Sequence, residues 1–307
     1  MRARSQSRAH LWFIAPALVL MFLVLILPIL IAGYMSLTNF SLGNDGADFV
    51  GLKNYTDIFT KSTYEKMFGA TLRYVGVTVP VSVALGLGAA LLVNSVTRFS
   101  NVYRTIYFLP VMAALIAMAI VWEFALHPQI GIVNTTLERG CGTWLEAWGW
   151  FARGCADGFP LWLGDRDYAI WTLCFIGIWQ GFGFNMVLYL AGLTGIPRDL
   201  YHAAEMDGTK SGWEKFRLVT WPMLGPTTVF VVTISFIRSF QVFDTVEALT
   251  RGGPSKSTYV MMYAIFEKAV KQNLMGIGAA ITIVFLAFVM VLTLIQRWLV
   301  ERRVHYV

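Results

Sequence analysis

Six stretches of mostly apolar residues recur along the chain, each set off from the next by a polar segment. They are Leu11–Leu37, about Ala70–Ser95, about Thr105–Leu126, about Tyr168–Leu193, about Pro222–Leu249 and about Leu274–Leu299. About 20 such residues suffice for a helix to cross a hydrocarbon layer of about 30 Å. Each stretch therefore predicts one membrane-spanning helix. Charges inside them are rare: Arg73, Glu123, a group of Arg238, Asp244 and Glu247 in the second half of the fifth, and Arg297 near the end of the sixth. Open sheet edges are not tolerated in lipid, so the pattern predicts an all-α integral membrane protein of six transmembrane helices. Residues 1–307 read as one transmembrane domain, with a long loop at 127–167 on one side and another at 196–221 on the opposite side.

Composition agrees. Of 307 residues, 57% are hydrophobic and 14% charged, against roughly 45–50% and about 25% in soluble domains. A disordered chain, a disulfide mini-protein and an ordinary cytosolic enzyme are excluded. The net charge of +6 speaks of topology before any nucleic-acid partner, and no nucleic acid is expected. With the N-terminus placed in the cytoplasm, the inner segments hold 12 Lys and Arg in about 56 residues, and the outer loops hold 10 in about 99. That asymmetry is the positive-inside pattern and predicts that both termini are cytoplasmic. The first segment follows a basic leader (Arg2, Arg4, Arg8). Its apolar run is longer than the roughly 7–15 residues of a signal peptide, and it is read as a retained first helix.

No catalytic machinery is legible. Gly208-Thr209-Lys210-Ser211 has Thr209 between glycine and lysine, so it is not a phosphate-binding loop. His10, His127, His202 and His305 are scattered, and no metal site or catalytic residue is expected. The informative polar groups lie inside the spans, where they are costly. The fourth carries Gln180 and Asn185 beside Trp179, and the fifth carries Arg238, Gln241 and Asp244. Arg238, Gln241 and Thr245 fall at helical spacing on one face. Two readings stand. These groups hold helices together, with Gly177, Gly181 and Gly183 allowing close packing and Arg238 pairing with Asp244. Alternatively they line a solute path, with Trp179, Phe182, Phe236 and Phe240 as its aromatic wall.

The inner loop 196–221 is amphipathic. Pro197 suits the start of a helix, Ala203 and Ala204 favour its continuation, Gly208 breaks it, and a second helical stretch runs over about Trp213–Val219. This segment, "YHAAEMDGTKSGWEKFRLVTWPML", resembles the signature of permease subunits of binding-protein-dependent ABC importers: Glu-Ala-Ala, three residues, Gly, nine residues, Ile-x-Leu-Pro. Ala203, Ala204, Asp207, Gly208 and Pro222 match. His202 replaces the leading Glu, Glu205 sits one turn on, Trp221 replaces Leu, and the spacing from Gly208 to Pro222 is one residue longer. "FVGLKNYTDIF", "FLP" at 108–110, "LAGLTGIPRDLYHAAEMDG" and "LTRGGPSKST" are similar to the sugar and glycerol-phosphate subfamily of maltose type.

The resemblance implies the fold of a type I importer permease and import of a carbohydrate or related polar solute by alternating access across a bacterial inner membrane. It also implies a second, homologous permease as heterodimer partner, two ATPase subunits that bind ATP and Mg, and a periplasmic solute-binding protein. The chain itself then needs no cofactor and is not an enzyme. Residues 202–208 (His202, Ala203, Ala204, Glu205, Asp207, Gly208) become the ATPase-coupling element. The rival classes are a secondary transporter, which calls for a coupling carboxylate pair deep in the bundle, and a membrane glycosyl-transfer enzyme, which calls for an aqueous acid/base pair. The charge count places Cys141 and Cys155 in the outer loop, in an oxidising compartment, where a disulfide is expected to staple a cap containing Trp144, Trp148, Trp150 and Trp162; the alternative is two free thiols in a mobile loop. Cys174, inside the fourth span, is expected to stay reduced.

Overall fold

A computed structural model describes residues 13–43, 46–96, 98–143 and 149–301. The basic leader, Trp144, Trp148, Arg302 and Arg303 lie outside them. Among the described residues there are helices and no strand beyond one isolated bridge, Thr38 to Phe49.

In chain order the helices are α1 (Phe13–Met35), α2 (Lys53–Thr60), α3 (Ser62–Ser95), α4 (Ser100–Met112), α5 (Leu115–Ala125), α6 (Ile132–Arg139) and α7 (Gly149–Asp157). Then follow α8 (Arg166–Thr194), α9 (Arg198–Met206), α10 (212–223), α11 (Gly225–Phe240), α12 (Asp244–Leu249), α13 (Met261–Phe266) and α14 (Met275–Glu301). Five stretches are long and apolar enough to cross a membrane: α1, α3, α8, the α11–α12 pair, and Met275–Gln296 of α14. The pair α4–α5 makes a sixth when counted as one span.

Two spans differ from the continuous helices predicted. The third is broken between α4 and α5 and bends by 95°. Ala113 and Ala114 take extended angles there, with φ −71°, ψ 139° and φ −62°, ψ 126°. Alanine is the best helix former, so local propensity did not signal this break; tertiary structure overrides it. The fifth is interrupted at 241–243, between α11 and α12. Proline leaves another mark. A π-turn at Phe22–Ile26 precedes Pro28, and one at Phe216–Thr220 precedes Pro222. A proline cannot donate to the residue four back and its ring crowds that carbonyl, which a locally widened turn accommodates.

The chain sorts into two compact units: the segment up to Glu65 with Ala264–Phe288, and Lys66–Tyr263 with the chain from Val289 on. In the first, the loop after α1 is pinned by Asn54, whose Nδ2 donates to the carbonyls of Ser36 and Thr38, each at 2.8 Å. Asn54 belongs to the "FVGLKNYTDIF" stretch. The N–H of Gly276 donates to the Phe40 carbonyl at 2.9 Å, and a β-carbon on Gly276 would collide with the backbone of Thr38.

In the second unit α8 is the axis. Lipid supplies no hydrophobic force between helices, so close approach over small residues must hold them. A β-carbon on Gly177 would strike the Tyr74 hydroxyl of α3, and one on Gly183 the Tyr107 carbonyl of α4. On Gly192 it would lie 2.6 Å from Thr227 Oγ1 of α11. Three helices thus touch α8 at three glycines. Met186 and Tyr189 of α8 are wholly buried among Ala90, Val93, Leu224 and Val231. Beyond the breaks, α5 and α12 pack on each other.

The angles at the break give a test. Proline fits φ near −65° and wants an extended residue before it, which Ala113 supplies. Ala114→Pro is expected to leave the thermal stability of the detergent-solubilised protein within about 1 kcal/mol of the parent. Ala119→Pro, in the buried middle of α5, is expected to cost ~3 kcal/mol or more. Melting curves of the two variants decide it; equal losses would mean that the break is not built into the fold.

Candidate functional site

A cavity of about 470 Å³ opens among four spans of the second unit. Tyr74, Thr78 and Ser82 face it from α3, Gln180, Phe184 and Asn185 from α8, and Ser235, Arg238 and Ser239 from α11. The rest of its wall is the two helix breaks: Val111, Ala113 and Leu115 on one side, and 241–245 on the other. Non-helical backbone at membrane depth is tolerated where it is enclosed in protein or lines a watery cavity. Both interruptions meet that condition at the same place, which is the physical reason that two apolar spans depart from helix there.

Of the candidate path residues, Gln180, Asn185, Arg238, Gln241 and Asp244 line this cavity, and Trp179 does not. Trp179 packs edge-to-face on Trp122 of α5, with ring centroids 5.4 Å apart. The expected aromatic wall is corrected likewise. Phe182 packs on Tyr107, Phe236 on Phe240, and the aromatic rings that face the cavity are Tyr74, Phe184 and Phe243. A run of aromatics on one span does not say which ring turns inward. The break at 241–243 also ends the continuous face expected for Arg238, Gln241 and Thr245; the three reach the same cavity because the break forms its wall.

Asn185 is 2% exposed and joins three spans. Its Oδ1 accepts from Ser235 Oγ at 2.9 Å, and its Nδ2 donates to Ser82 Oγ at 3.4 Å. Ser82, Ser235 and Ser239 carried no signal in sequence, because single hydroxyls are common in apolar spans. Asn185 is thus a helix tie at the cavity floor, whereas Arg238, Gln241 and Asp244 stay exposed. Arg238 and Asp244 form no ion pair with each other; the ion pairs among the described residues lie elsewhere. The Arg238 guanidinium carbon lies 4.0 Å from the centroid of the Phe184 ring, a cation–π contact.

The segment 196–221 folds as two short helical arms around Gly208. That residue has φ +96°, where other residues are strained, and space around it is open. Ala204 faces inward against Tyr201 and the core, while His202, Ala203, Glu205 and Asp207 are exposed. The Thr209 hydroxyl donates to the Ala204 carbonyl at 2.5 Å. Ser211 and Glu214 form a capping box at the start of α10. Lys215, from the second arm, reaches back to Glu205 with Nζ 2.6 Å from Oε1. His202 Nδ1 lies 3.7 Å from the other oxygen. The hydrogen bond from Lys215, then its charge, holds the Glu205 carboxyl below the ordinary carboxylate range, with His202 a smaller contributor. Sequence spacing did not reveal Lys215, because the turn at Gly208 brings it over. Met206, 89% exposed on the face of His202, was likewise unmarked.

In the loop 127–167, Cys141 and Cys155 are disulfide-bonded, with Cα atoms 5.8 Å apart. Cys174 is a free, buried thiol. Trp162 Nε1 donates to Asn134 Oδ1 at 2.6 Å, and Trp150 packs on Phe159 and Trp162. Asn134 is 2% exposed, so this small cap has a polar centre.

The chain belongs to the family of binding-protein-dependent transport system inner membrane components, whose profile matches residues 82–305. It is therefore a transport subunit, a permease, and the two rival classes fall away. It is 29% identical to the probable ABC transporter permease protein YurN of Bacillus subtilis, over 92% of this chain and 93% of that one. It is 27% identical to the probable starch degradation products transport system permease protein AmyD of Thermoanaerobacterium thermosulfurigenes, covering 95% and 93%. With the sn-glycerol-3-phosphate transport system permease protein UgpA of Agrobacterium fabrum it shares 28%, covering 95% and 94%. In fold it is similar to a chain of a bacterial ABC transporter involved in the import of the acidic polysaccharide alginate. The TM-score is 0.79 at 19% identity, with 98% of this chain and 99% of that chain covered.

Two outcomes follow. The disulfide closes a loop of sequence separation 14, and closing a loop of about 15 residues is worth ~3 kcal/mol in the chain-entropy model. Cys141→Ser with Cys155→Ser is expected to loosen 132–162 locally, read as faster amide exchange there, with α8 unaffected. Glu205 is expected to titrate below the ordinary carboxylate range, and Lys215→Met to restore it. Because the folded value is depressed, this contact stabilises the turn at neutral pH and is lost as the pH falls through that value. Carbon-13 NMR of labelled glutamate follows it; an ordinary titration in the parent would show that the pair does not persist in solution.

Proposed function

We propose that this chain is the permease of an ATP-driven importer that moves a carbohydrate or related polar solute (a sugar, a sugar derivative or a glycerol phosphate) inward across the bacterial cytoplasmic membrane. The observation that carries the reading is the polar cavity at membrane depth in a chain of this family. Its walls offer hydroxyl, amide and charged groups from three spans, the groups that hydrogen-bond a polyhydroxylated solute. The curated relatives named for starch degradation products and for glycerol 3-phosphate support the carbohydrate class.

In this reading Gln180, Arg238, Gln241 and Asp244 form the solute path. Residues 202–208 couple it to the ATPases. The assembly holds a second homologous permease, two ATPase subunits carrying ATP and Mg, and a periplasmic solute-binding protein. Both termini face the cytoplasm, on the side of the coupling segment. Transport is by alternating access: the cavity opens to the two sides in turn, and nucleotide binding and hydrolysis in the partners drive the exchange through the α9–α10 turn. That turn is closed by Thr209, by the Ser211–Glu214 box and by the Glu205–Lys215 bridge.

The test uses the assembled complex in proteoliposomes with its binding protein. Since Gly208 holds φ +96° with open space around it, a leucine there acts through backbone strain and not through collision. Gly208→Leu is expected to insert and assemble, and to lower solute-stimulated ATP hydrolysis and uptake together by about tenfold, equivalent to ~1.4 kcal/mol. Gly208→Asn, which tolerates positive φ better, is expected to retain more. Uptake at the parental rate by the leucine variant, or uptake without any ATPase subunit, would overturn the assignment.

A further inference from the structure

Arg238 is a cation in an apolar span, and such groups mark solute or ion paths unless they are paired. Among the described residues no carboxylate pairs with it. It is exposed to the cavity and rests on the face of Phe184 at 4.0 Å. A guanidinium carries its N–H donors in one plane, as a fixed fork. The other charged residue of the wall is Asp244. It stands at the start of α12. Among the described residues neither charge of the wall is ion-paired, and the Arg238 guanidinium has the Phe184 ring as its contact. The remaining polar lining, including Gln180, Gln241 and Ser239, is neutral.

We propose that the solute is an anionic carbohydrate, one bearing a carboxylate or a phosphate, and that Arg238 is the residue that selects it. This inference rests on the reading of the cavity as the solute path. Both acid groups present paired oxygens that the planar fork of Arg238 meets with two N–H bonds, while the neutral amides and hydroxyls meet the sugar hydroxyls. Phe184 keeps the fork in place without neutralising it, which an ion pair would do. Arg238 is thus held in position and left free in charge.

The experiment uses the complete complex, with its binding protein and ATPases, in proteoliposomes. Three kinds of probe are offered: the neutral disaccharide maltose, a uronic-acid disaccharide with its neutral methyl ester, and sn-glycerol 3-phosphate. Uptake and solute-stimulated ATP hydrolysis are measured for each. The expected result is that an acid-bearing probe is carried; the uronic acid and the phosphate arms tell the two acid sources apart. For a carried uronic acid, the parent is expected to prefer the acid over its ester, and Arg238→Gln to shrink that preference by roughly tenfold or more. For a carried phosphate, Arg238→Gln is expected to raise KM for uptake more than it lowers kcat, with Arg238→Lys intermediate. The binding protein is common to parent and variant, so the change belongs to the permease. A merely structural role would slow acid and ester alike. The parent comparison of acid with ester needs no substitution and tests the solute class, while the assignment to Arg238 rests on the change between parent and variant. Import of maltose with no acid-bearing probe carried overturns this inference alone. An acid-to-ester ratio within twofold in parent and variant also overturns it. Failure of every carbohydrate probe, neutral and acidic, overturns the carbohydrate reading with it.

Discussion

In hydrocarbon a backbone N–H or C=O has no water to turn to, and each must find its partner within the protein. That constraint decides where this chain is allowed to stop being helical. α3 runs unbroken from Ser62 to Ser95 through Pro80, and Pro28 and Pro222 are taken up by a wider turn and not by a break. Among the described residues the α4–α5 and α11–α12 spans open, at 113–114 and 241–243, and both open onto one cavity. The breaks depend on the cavity, since without it the exposed backbone groups would be unsatisfied. Intact helices carry most of the polar wall, and the second break adds Gln241, Asp244 and Thr245.

The same solvent explains how the helices around the cavity are held. Burying apolar side chains gains little against lipid tails, so contact depends on near approach and on hydrogen bonds. α8 supplies both. Gly177, Gly183 and Gly192 bring three neighbours close, and Asn185 reaches two of them with one amide. The helix that bears Gln180 and Phe184 is also the one that these contacts hold. A site on such a helix keeps its geometry while less constrained neighbours move. The coupling arms are built differently, from local polar contacts: a cap, a hydroxyl on a carbonyl, and an exposed ion pair. Those are modest interactions individually, suited to a segment whose outer face is left open, with Met206 and His202 exposed.

Much of this was legible in the sequence, and the reasons differ by feature. The spans followed from apolar runs because length against bilayer thickness is a coarse criterion that local detail cannot upset. Gly208 was readable as a bend because few residues other than glycine tolerate its backbone angles. Arg238, Gln241 and Asp244 stood out because charges and amides are rare in such runs. What could not be read is what depends on a partner far along the chain. Ala113 and Ala114 look like helix and are not, since the cavity that permits the break is assembled from α3, α8 and α11. Trp179 looked like a wall residue, but Trp122 of another span takes it. Lys215 was one cation among several until the turn at Gly208 laid it beside Glu205. The cysteines were legible as a pair, and Asn134, which anchors Trp162 between them and α8, was not.

The break at Ala113–Ala114 also bears on how the protein is made. A chain synthesised from its N-terminus delivers α4 and α5 to the bilayer before α8, α11 or α12 has been translated. At that moment nothing exists to enclose a cavity, and an open turn would leave bare backbone in lipid. The two alanines can close into helix without strain, so the segment can enter as a single ordinary span that the insertion machinery accepts. The helices that shelter the finished break, α8 and α11, are translated later. With neither glycine nor proline between Met112 and Leu115, the stretch is compatible with both a closed helix and an open wall.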